Sequence, residues 1–315
     1  KARRIDLEPS LSVWQEYAAA HAVHPAVLAY LRLHPEHFFV CDAQRSAGSF
    51  VTARGWEDLS ALLLTYEALG FACTQTQARE YLHVQEAAAG FAAFYELYRR
   101  YSAELPLEAL LRGQTDAGAE ALRDLPFEGR LSVVEFLLHS LQTQLCAMED
   151  ASALAFSAES FLKSVPAGEG YAARAEKQLE NRRAALQIRR ECGVLSAEDE
   201  RRETAFLTRS DAALAARSDA EAFDAVRLLA ESAGTAAEQN RKNTLCALEN
   251  SLRFVCAAFG DEQELWILLH GLQDCGAAAF LQKENSSVYQ ELLSRATPEA
   301  KAAALREELS RGAGL

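Results

Sequence analysis

Apolar residues recur three and four positions apart along almost the whole chain, and no long alternating run of Val, Ile and Thr stands between turn signals. The first spacing lines up one stripe of a helix, whereas a half-buried strand needs strict alternation, so the pattern predicts an all-α fold. Alanine, leucine, glutamate and arginine, which lose little on entering a helix, dominate the composition. Helices are expected over Ser10 to Ala20, Pro25 to Leu33, Trp56 to Leu69, Thr76 to Leu82 and Val84 to Ala103. Past Pro106 they are expected over Leu107 to Arg112, Ala117 to Leu122, Glu128 to Met148 and Ala153 to Ser164.

Pro166-Ala-Gly-Glu-Gly170 is the clearest interior break, because proline and glycine together do not continue a helix cheaply. From Tyr171 to about Gly193 the chain is densely charged, as in a solvent-exposed helix laced by i,i+4 pairs that builds an arm or hairpin. Ser196 with Glu198 and Asp199 behind it reads as an N-cap opening a helix to about Ala215, and two further helices are expected before Gly260. Glu262 to Gln273, Ala277 to Lys283, Val288 to Arg295 and, after Pro298, Glu299 to Ser310 complete the list. No fixed-period repeat is visible, so a bundle with a helical arm is favoured over a solenoid.

The chain has 315 residues, half of them hydrophobic, which is more than one core usually serves. A small helical subdomain over 1–104 and a larger bundle with long helices over 105–315 are expected, the second with an inner break near 166–170. Asp and Glu outnumber Lys and Arg by 45 to 32, a formal charge of −13, so a nucleic-acid partner is not expected. No apolar stretch of about 18 residues lacks charge and the opening Lys-Ala-Arg-Arg-Ile is followed by no apolar run, so neither a membrane span nor a signal peptide is visible. A cytoplasmic setting is expected. The only methionine is Met148, and Lys1 is therefore expected to be a cut within a longer protein. Seven scattered cysteines without a C-x-x-C pair read as buried free thiols.

Several chemistries find no support. There is no G-x-x-x-x-G-K-[ST] phosphate loop, no G-x-S-x-G elbow and no H-E-x-x-H helix, so the chain alone is not expected to hydrolyse nucleotides and no catalytic residue is assigned. His21, His24, His34 and His37 are spaced H-x2-H-x9-H-x2-H, and imidazole is a good zinc ligand. His24 and His34 each precede proline, however, which marks helix boundaries, and turn and surface roles are the stronger reading, so no metal is assigned. Phe91, Phe94, Tyr95, Tyr98 and Tyr101 line one side of a helix and read as core, with an exposed docking face as the alternative. In Phe50-Val-Thr-Ala-Arg-Gly-Trp-Glu-Asp-Leu-Ser60, Arg54 stands at the entrance of an amphipathic helix, a rigid place for a guanidinium that meets either a phosphate or a flanking carboxylate.

Here the chain resembles a known family. Ser12-Val-Trp14-Gln-Glu-Tyr17, His24-Pro25-Ala-Val-Leu-Ala-Tyr-Leu31, His34-Pro35-Glu-His-Phe38 and Phe50 to Ser60 look like the C-terminal helical lid of MoxR-type AAA+ ATPases. Glu80-Tyr81-Leu82 and Phe91-Ala-Ala-Phe-Tyr-Glu-Leu-Tyr98 continue the likeness, which covers roughly Leu7 to Tyr101 and resembles a bacterial subgroup with a long helical extension. Gly260-Asp-Glu-Gln-Glu-Leu265 is a weaker likeness beyond it.

The resemblance implies an upstream α/β core of the same chain that holds ATP and Mg, a homo-oligomeric ring, and a chaperone or remodelling activity on a protein client. Arg54 matches the family's sensor 2 arginine, which reaches the γ-phosphate, and Thr52 and Trp56 would support its turn. Ala53 stands where many such lids carry proline. The residues from about Leu107 onward would be a partner-docking domain. Two other classes compete: a stand-alone helical interaction scaffold, and a metal-binding helical protein using the four histidines.

Overall fold

The computed structural model describes residues 8–21, 23–41, 49–104, 107–114, 122–215 and 218–296. The chain is all-α: every described element but two strands of two residues each and one 3₁₀ turn is an α-helix. Among the described residues, no helix is long and apolar enough to cross a membrane.

The chain opens with α1 (Leu11–Ala20) and α2 (Pro25–Leu33), a 3₁₀ turn over Pro35–His37, and a minimal antiparallel hairpin of β1 (Val40–Cys41) and β2 (Phe50–Val51). Val40 pairs with Val51 and Cys41 with Phe50. Then come α3 (Ala53–Ala68), α4 (Gln75–Tyr81), α5 (Gln85–Glu104) and the short α6 (Leu107–Leu111). Thr74 and Gln77 form a reciprocal cap at the start of α4, satisfying amides that the helix itself leaves open. The helix expected over Ala117 to Leu122 lies almost wholly outside the described residues, and that over Glu299 to Ser310 lies wholly outside them.

The next two helices differ from expectation in length. Phe127–Ser164 is one unbroken helix, α7, and Asp219–Phe259 is another, α10, where two helices were expected each time. Polar Glu149 and Asp150 suggest a break in α7, yet they are met by Arg202 at 3.0 and 2.8 Å and Asp150 also by Arg201 at 2.9 Å. Charge partners on a neighbouring helix thus let the polar stretch stay helical. Between these two lie α8 (Tyr171–Glu191) and α9 (Ala197–Leu214). The arginines of α8 pair mainly across to α9 and not along their own helix: Arg182 with Glu203 at 2.7 Å, Arg189 with Asp199 at 3.8 Å, and Arg183 and Arg190 with Asp211 and Glu200. The Arg182 guanidinium also lies 4.2 Å from the centre of the Phe206 ring, a cation–π contact. The chain's described part ends with α11 (Gln263–Asp274), α12 (Ala277–Lys283) and α13 (Ser287–Ala296).

Two compact units result. One takes in the chain up to Ser140 together with that from Glu249 onward, and the other is Leu141–Leu248. This division cuts through α7 and α10, whereas the boundary expected at 104/105 lies inside the first unit and the 166–170 break inside the second. The start of α7 joins the first unit because Arg32 on α2 holds the buried Glu135 at 2.8 Å and the Tyr98 and Phe136 rings stand 5.9 Å apart. In the first unit Trp14, Tyr30, Trp56, Phe91, Phe94 and Tyr95 share one core. The aromatic stripe of α5 is therefore buried, from Phe91 at 0% to Tyr101 at 7% exposure, and is no docking face. The second unit has its own core, in which Phe161 meets Phe206 and Tyr171 meets Phe223 edge to face. The cysteines depart from expectation: only Cys73 is buried, Cys256 and Cys275 are half-buried, and Cys41, Cys146, Cys192 and Cys246 are exposed. A thiol on the outer face of an amphipathic helix reads like a small apolar residue in the sequence, which is why the expectation of burial fails.

Candidate functional site

The Arg54 turn is built by its neighbours. Val51 is buried at the end of β2, and Thr52 then holds an extended backbone (φ −136°, ψ 161°) that a helix cap needs. Its hydroxyl oxygen accepts a hydrogen bond from the Gly55 amide at 3.2 Å, so α3 starts at Ala53 and Arg54 is its second residue. Gly55 is required by close approach: a Cβ there would lie 2.7 Å from the Tyr81 carbonyl oxygen at the end of α4. Trp56, wholly buried, pins the turn from inside. Its indole N–H donates to the His37 carbonyl at 3.2 Å, and its ring packs 5.7 Å from Tyr30 and 5.6 Å from Phe91.

Arg54 itself points outward, its side chain 76% exposed. Its Nε and Nη2 donate to Asp58 at 3.1 and 2.9 Å, and Nη1 lies 3.6 Å from Glu57. Of the two partners left open by the spacing, the structure shows the flanking carboxylate. An exposed pair of this kind is worth roughly 0–1 kcal/mol, whereas a fork on a phosphate is charge-assisted and bidentate, so an arriving phosphate can displace Asp58. Asp58 is 42% exposed and Glu57 also accepts the Trp14 indole N–H at 3.3 Å, so both carboxylates have other solvation once the arginine turns away.

The four histidines part company. His21 stacks on Tyr17, ring centres 3.8 Å apart, with its Nδ1 2.8 Å from the Tyr17 carbonyl oxygen. His24 is buried as the N-cap of α2: Nδ1 accepts from the Ala26 amide at 3.1 Å, which leaves the proton on Nε2 to face Glu67 Oε2 at 3.1 Å. Its backbone amide donates to the Ser60 hydroxyl at 2.7 Å. Glu67 also accepts from the Tyr95 hydroxyl at 2.9 Å, and its carboxyl is held below the usual range, chiefly by the His24 hydrogen bond. Both proline-preceding histidines do stand at helix boundaries, His34 ending α2 and heading the 3₁₀ turn with Pro35 at its first position.

His34 and His37 nevertheless come together, with a carboxylate that the histidine spacing does not reveal. One ligand atom from each of His34, Glu36 and His37 lies within 4.8 Å of the other two. His34 Nδ1 is 3.2 Å from Glu36 Oε1, and the two imidazole rings stack with centres 5.5 Å apart. Glu36 is held below the ordinary carboxylate range, first by its own backbone amide and then by the His34 ring. Beneath them Tyr30, buried, places its hydroxyl 2.7 Å from His37 Nδ1. Gly90 makes room for that hydroxyl, since a Cβ there would lie 2.6 Å from it. Burial, then the Glu36 and Glu86 charges, push the Tyr30 phenol up, so it stays a hydrogen-bonding hydroxyl. The legible clue to Glu36 is the run His34-Pro35-Glu36-His37, in which the proline starts a three-residue turn that gathers its neighbours. Tyr30, Glu67 and Gly90 carry no such local signal.

Comparison of the chain with models of known protein families, with characterised proteins and with solved structures finds no match.

Proposed function

We propose that this chain is the non-catalytic, helical C-terminal portion of a MoxR-like AAA+ ATPase, its residues up to about 104 acting as the lid and the remainder as a partner-docking domain. ATP and Mg belong in this reading to an upstream α/β core, and the whole is a cytoplasmic ring that remodels a protein client. The observation that supports it is Arg54: an exposed fork of donors on the first turn of α3, held by a capped, glycine-dependent and indole-pinned entrance, and balanced by carboxylates it can leave. Thr52 and Trp56 hold the turn and do no chemistry. Lid movement would bring the guanidinium onto or away from the γ-phosphate, so that helix position reports hydrolysis.

The test is steady-state ATP hydrolysis by the longer protein, wild type beside Arg54→Ala and Arg54→Lys, with the 315-residue chain as blank. The expected result is a loss of at least about tenfold in both variants, a modest share of what removing one transition-state donor costs elsewhere, with no turnover by the chain alone. A light-scattering mass of the chain alone is expected to show no ring, and a stable hexamer contradicts the reading.

A second reading, a helical interaction scaffold, is favoured by the apolar side chains left in water on the second unit, Phe156 at 74% exposure, Val194 at 69% and Leu228 at 64%. It predicts that Arg54→Ala leaves the longer protein's activity unchanged, which is the outcome that overturns the lid reading.

A further inference from the structure

We infer that His34, Glu36 and His37 form a binding site for a divalent transition-metal ion of the zinc class, with a fourth coordination position open to water or to an incoming donor. The inference is independent of the lid reading, since it rests on none of the groups that would meet a nucleotide.

Donor chemistry comes first. Two imidazoles and one carboxylate are borderline ligands that suit zinc and its neighbours, and do not suit the harder magnesium or calcium ions that prefer all-oxygen sets. Geometry comes second. Ligands about 2.0–2.1 Å from a tetrahedral ion stand about 3.3 Å from one another, and His34 Nδ1 and Glu36 Oε1 already lie 3.2 Å apart. All three residues have a ligand atom within 4.8 Å of the others, and binding has to draw them in from that spacing.

The third argument is support from behind. Metal-bound imidazoles characteristically use their second nitrogen to hold a partner that fixes the ring. Tyr30 provides that partner for His37 at Nδ1, 2.7 Å away, so that Nε2 is the nitrogen left for the ion when Nδ1–H donates to the phenol oxygen. The backbone is fixed as well: the His37 amide donates to the His34 carbonyl at 3.0 Å, the Phe38 amide to the Pro35 carbonyl at 3.1 Å, and the His37 carbonyl accepts from Trp56. The site therefore sits on a closed turn whose two anchors, Tyr30 and Trp56, are among the most deeply buried side chains of the first unit. A site so built costs little ordering on binding.

The proton balance is simple. In the tautomer that donates Nδ1–H to Glu36, the His34 proton passes to Nε2 on binding, which frees the Nδ1 lone pair for the ion. Glu36 is already ionised at neutral pH and supplies its oxygen directly. Neither His21, occupied by Tyr17, nor His24, occupied by Ala26 and Glu67, takes part.

The test is zinc titration of the 315-residue chain by calorimetry, with cobalt absorption as a second readout. Because four cysteines are exposed, the chain is first alkylated at its accessible thiols. The expected result is one saturable ion per alkylated chain, weakened at least about tenfold, the least that losing even an outer-shell partner costs, by His34→Asn and by Glu36→Gln. His21→Asn should bind as wild type does, and cobalt should give the visible bands of a tetrahedral or five-coordinate site without thiolate charge transfer. Both ligand substitutions are at the surface, and unchanged thermal unfolding of the metal-free variants shows that their folds are intact. Absence of saturable binding to the alkylated chain, or binding that neither substitution weakens, overturns the inference.

Discussion

Ala53 is the first helical residue of α3, a position that meets two of the needs of proline. The preceding Thr52 is extended at φ −136° and ψ 161°, as a residue before proline must be, and the first amide of a helix has no partner within it. Ala53→Pro is therefore expected to stabilise the chain by about 0.4–1 kcal/mol by narrowing the unfolded ensemble, read as a higher urea midpoint with unchanged slope. Glu67 gives a prediction in pH. Its folded carboxyl titrates below the unfolded one, so its bonds to His24 and Tyr95 stabilise the fold above about pH 4.3, and that contribution is lost as pH falls through the folded value. Glu67→Gln should cost about 1 kcal/mol at pH 7, allowing for its partial exposure, and less in acid, so that the two stability curves converge as pH falls below the ordinary carboxylate range; parallel curves would refute the assignment. At this scale Thr52, Arg54 and Trp56 are legible in the sequence because the cap, the cation and the buried ring lie within five residues. Glu67 and Tyr95 are not, because what makes each matter is a partner 28 residues away.

Asp219 shows the same limit among the helices. It is the first residue of α10, yet its carboxylate accepts the Gly170 and Ala172 amides at 2.6 and 3.0 Å and so caps α8, whose own preceding residue is a left-handed glycine with no side chain to offer. Those amides hold the Asp219 carboxyl below its usual range. Asp219→Ala should lower the melting temperature and speed hydrogen exchange at Ala172, while α10 keeps its protection. Because the folded carboxyl titrates low, the capping contribution is present above the unfolded pKa and vanishes in acid, where wild type and variant should exchange alike. The break at Pro166 to Gly170 is readable from proline and glycine alone, and so are the bounds of α2 and α12, where a Pro or Gly marks the start. The continuity of α7 and α10 is not, since a stretch such as Met148 to Ser152 turns polar for the sake of Arg201 and Arg202, some 50 residues on.

For the molecule as a whole, the two units differ in what holds them. The first packs most of its buried rings into one core, whereas α8 has only Tyr171, Ala175, Leu179 and Leu186 buried and leans also on ion pairs to α9, half-buried at Arg182–Glu203 and otherwise largely exposed. Hydrogen exchange is expected to open Tyr171–Leu214 at a lower free energy than α2, α3 and α5, and added salt should widen the difference by screening the pairs. Equal protection of the two regions would contradict this. The all-α class follows from the spacing of apolar residues, but the division into units does not, because helical period says which face is buried and not which later helix covers it. The first unit is joined by ties such as the Asn250 side chain to the Leu111 carbonyl at 2.9 Å and Arg123 to the Ala257 carbonyl at 2.7 Å, spanning 139 and 134 residues. During synthesis on a ribosome, which adds about 5–20 residues per second, Leu111 and Arg123 emerge several seconds before the segments that complete their surroundings. The first unit can therefore be completed only after the whole segment between 141 and 248 has been made.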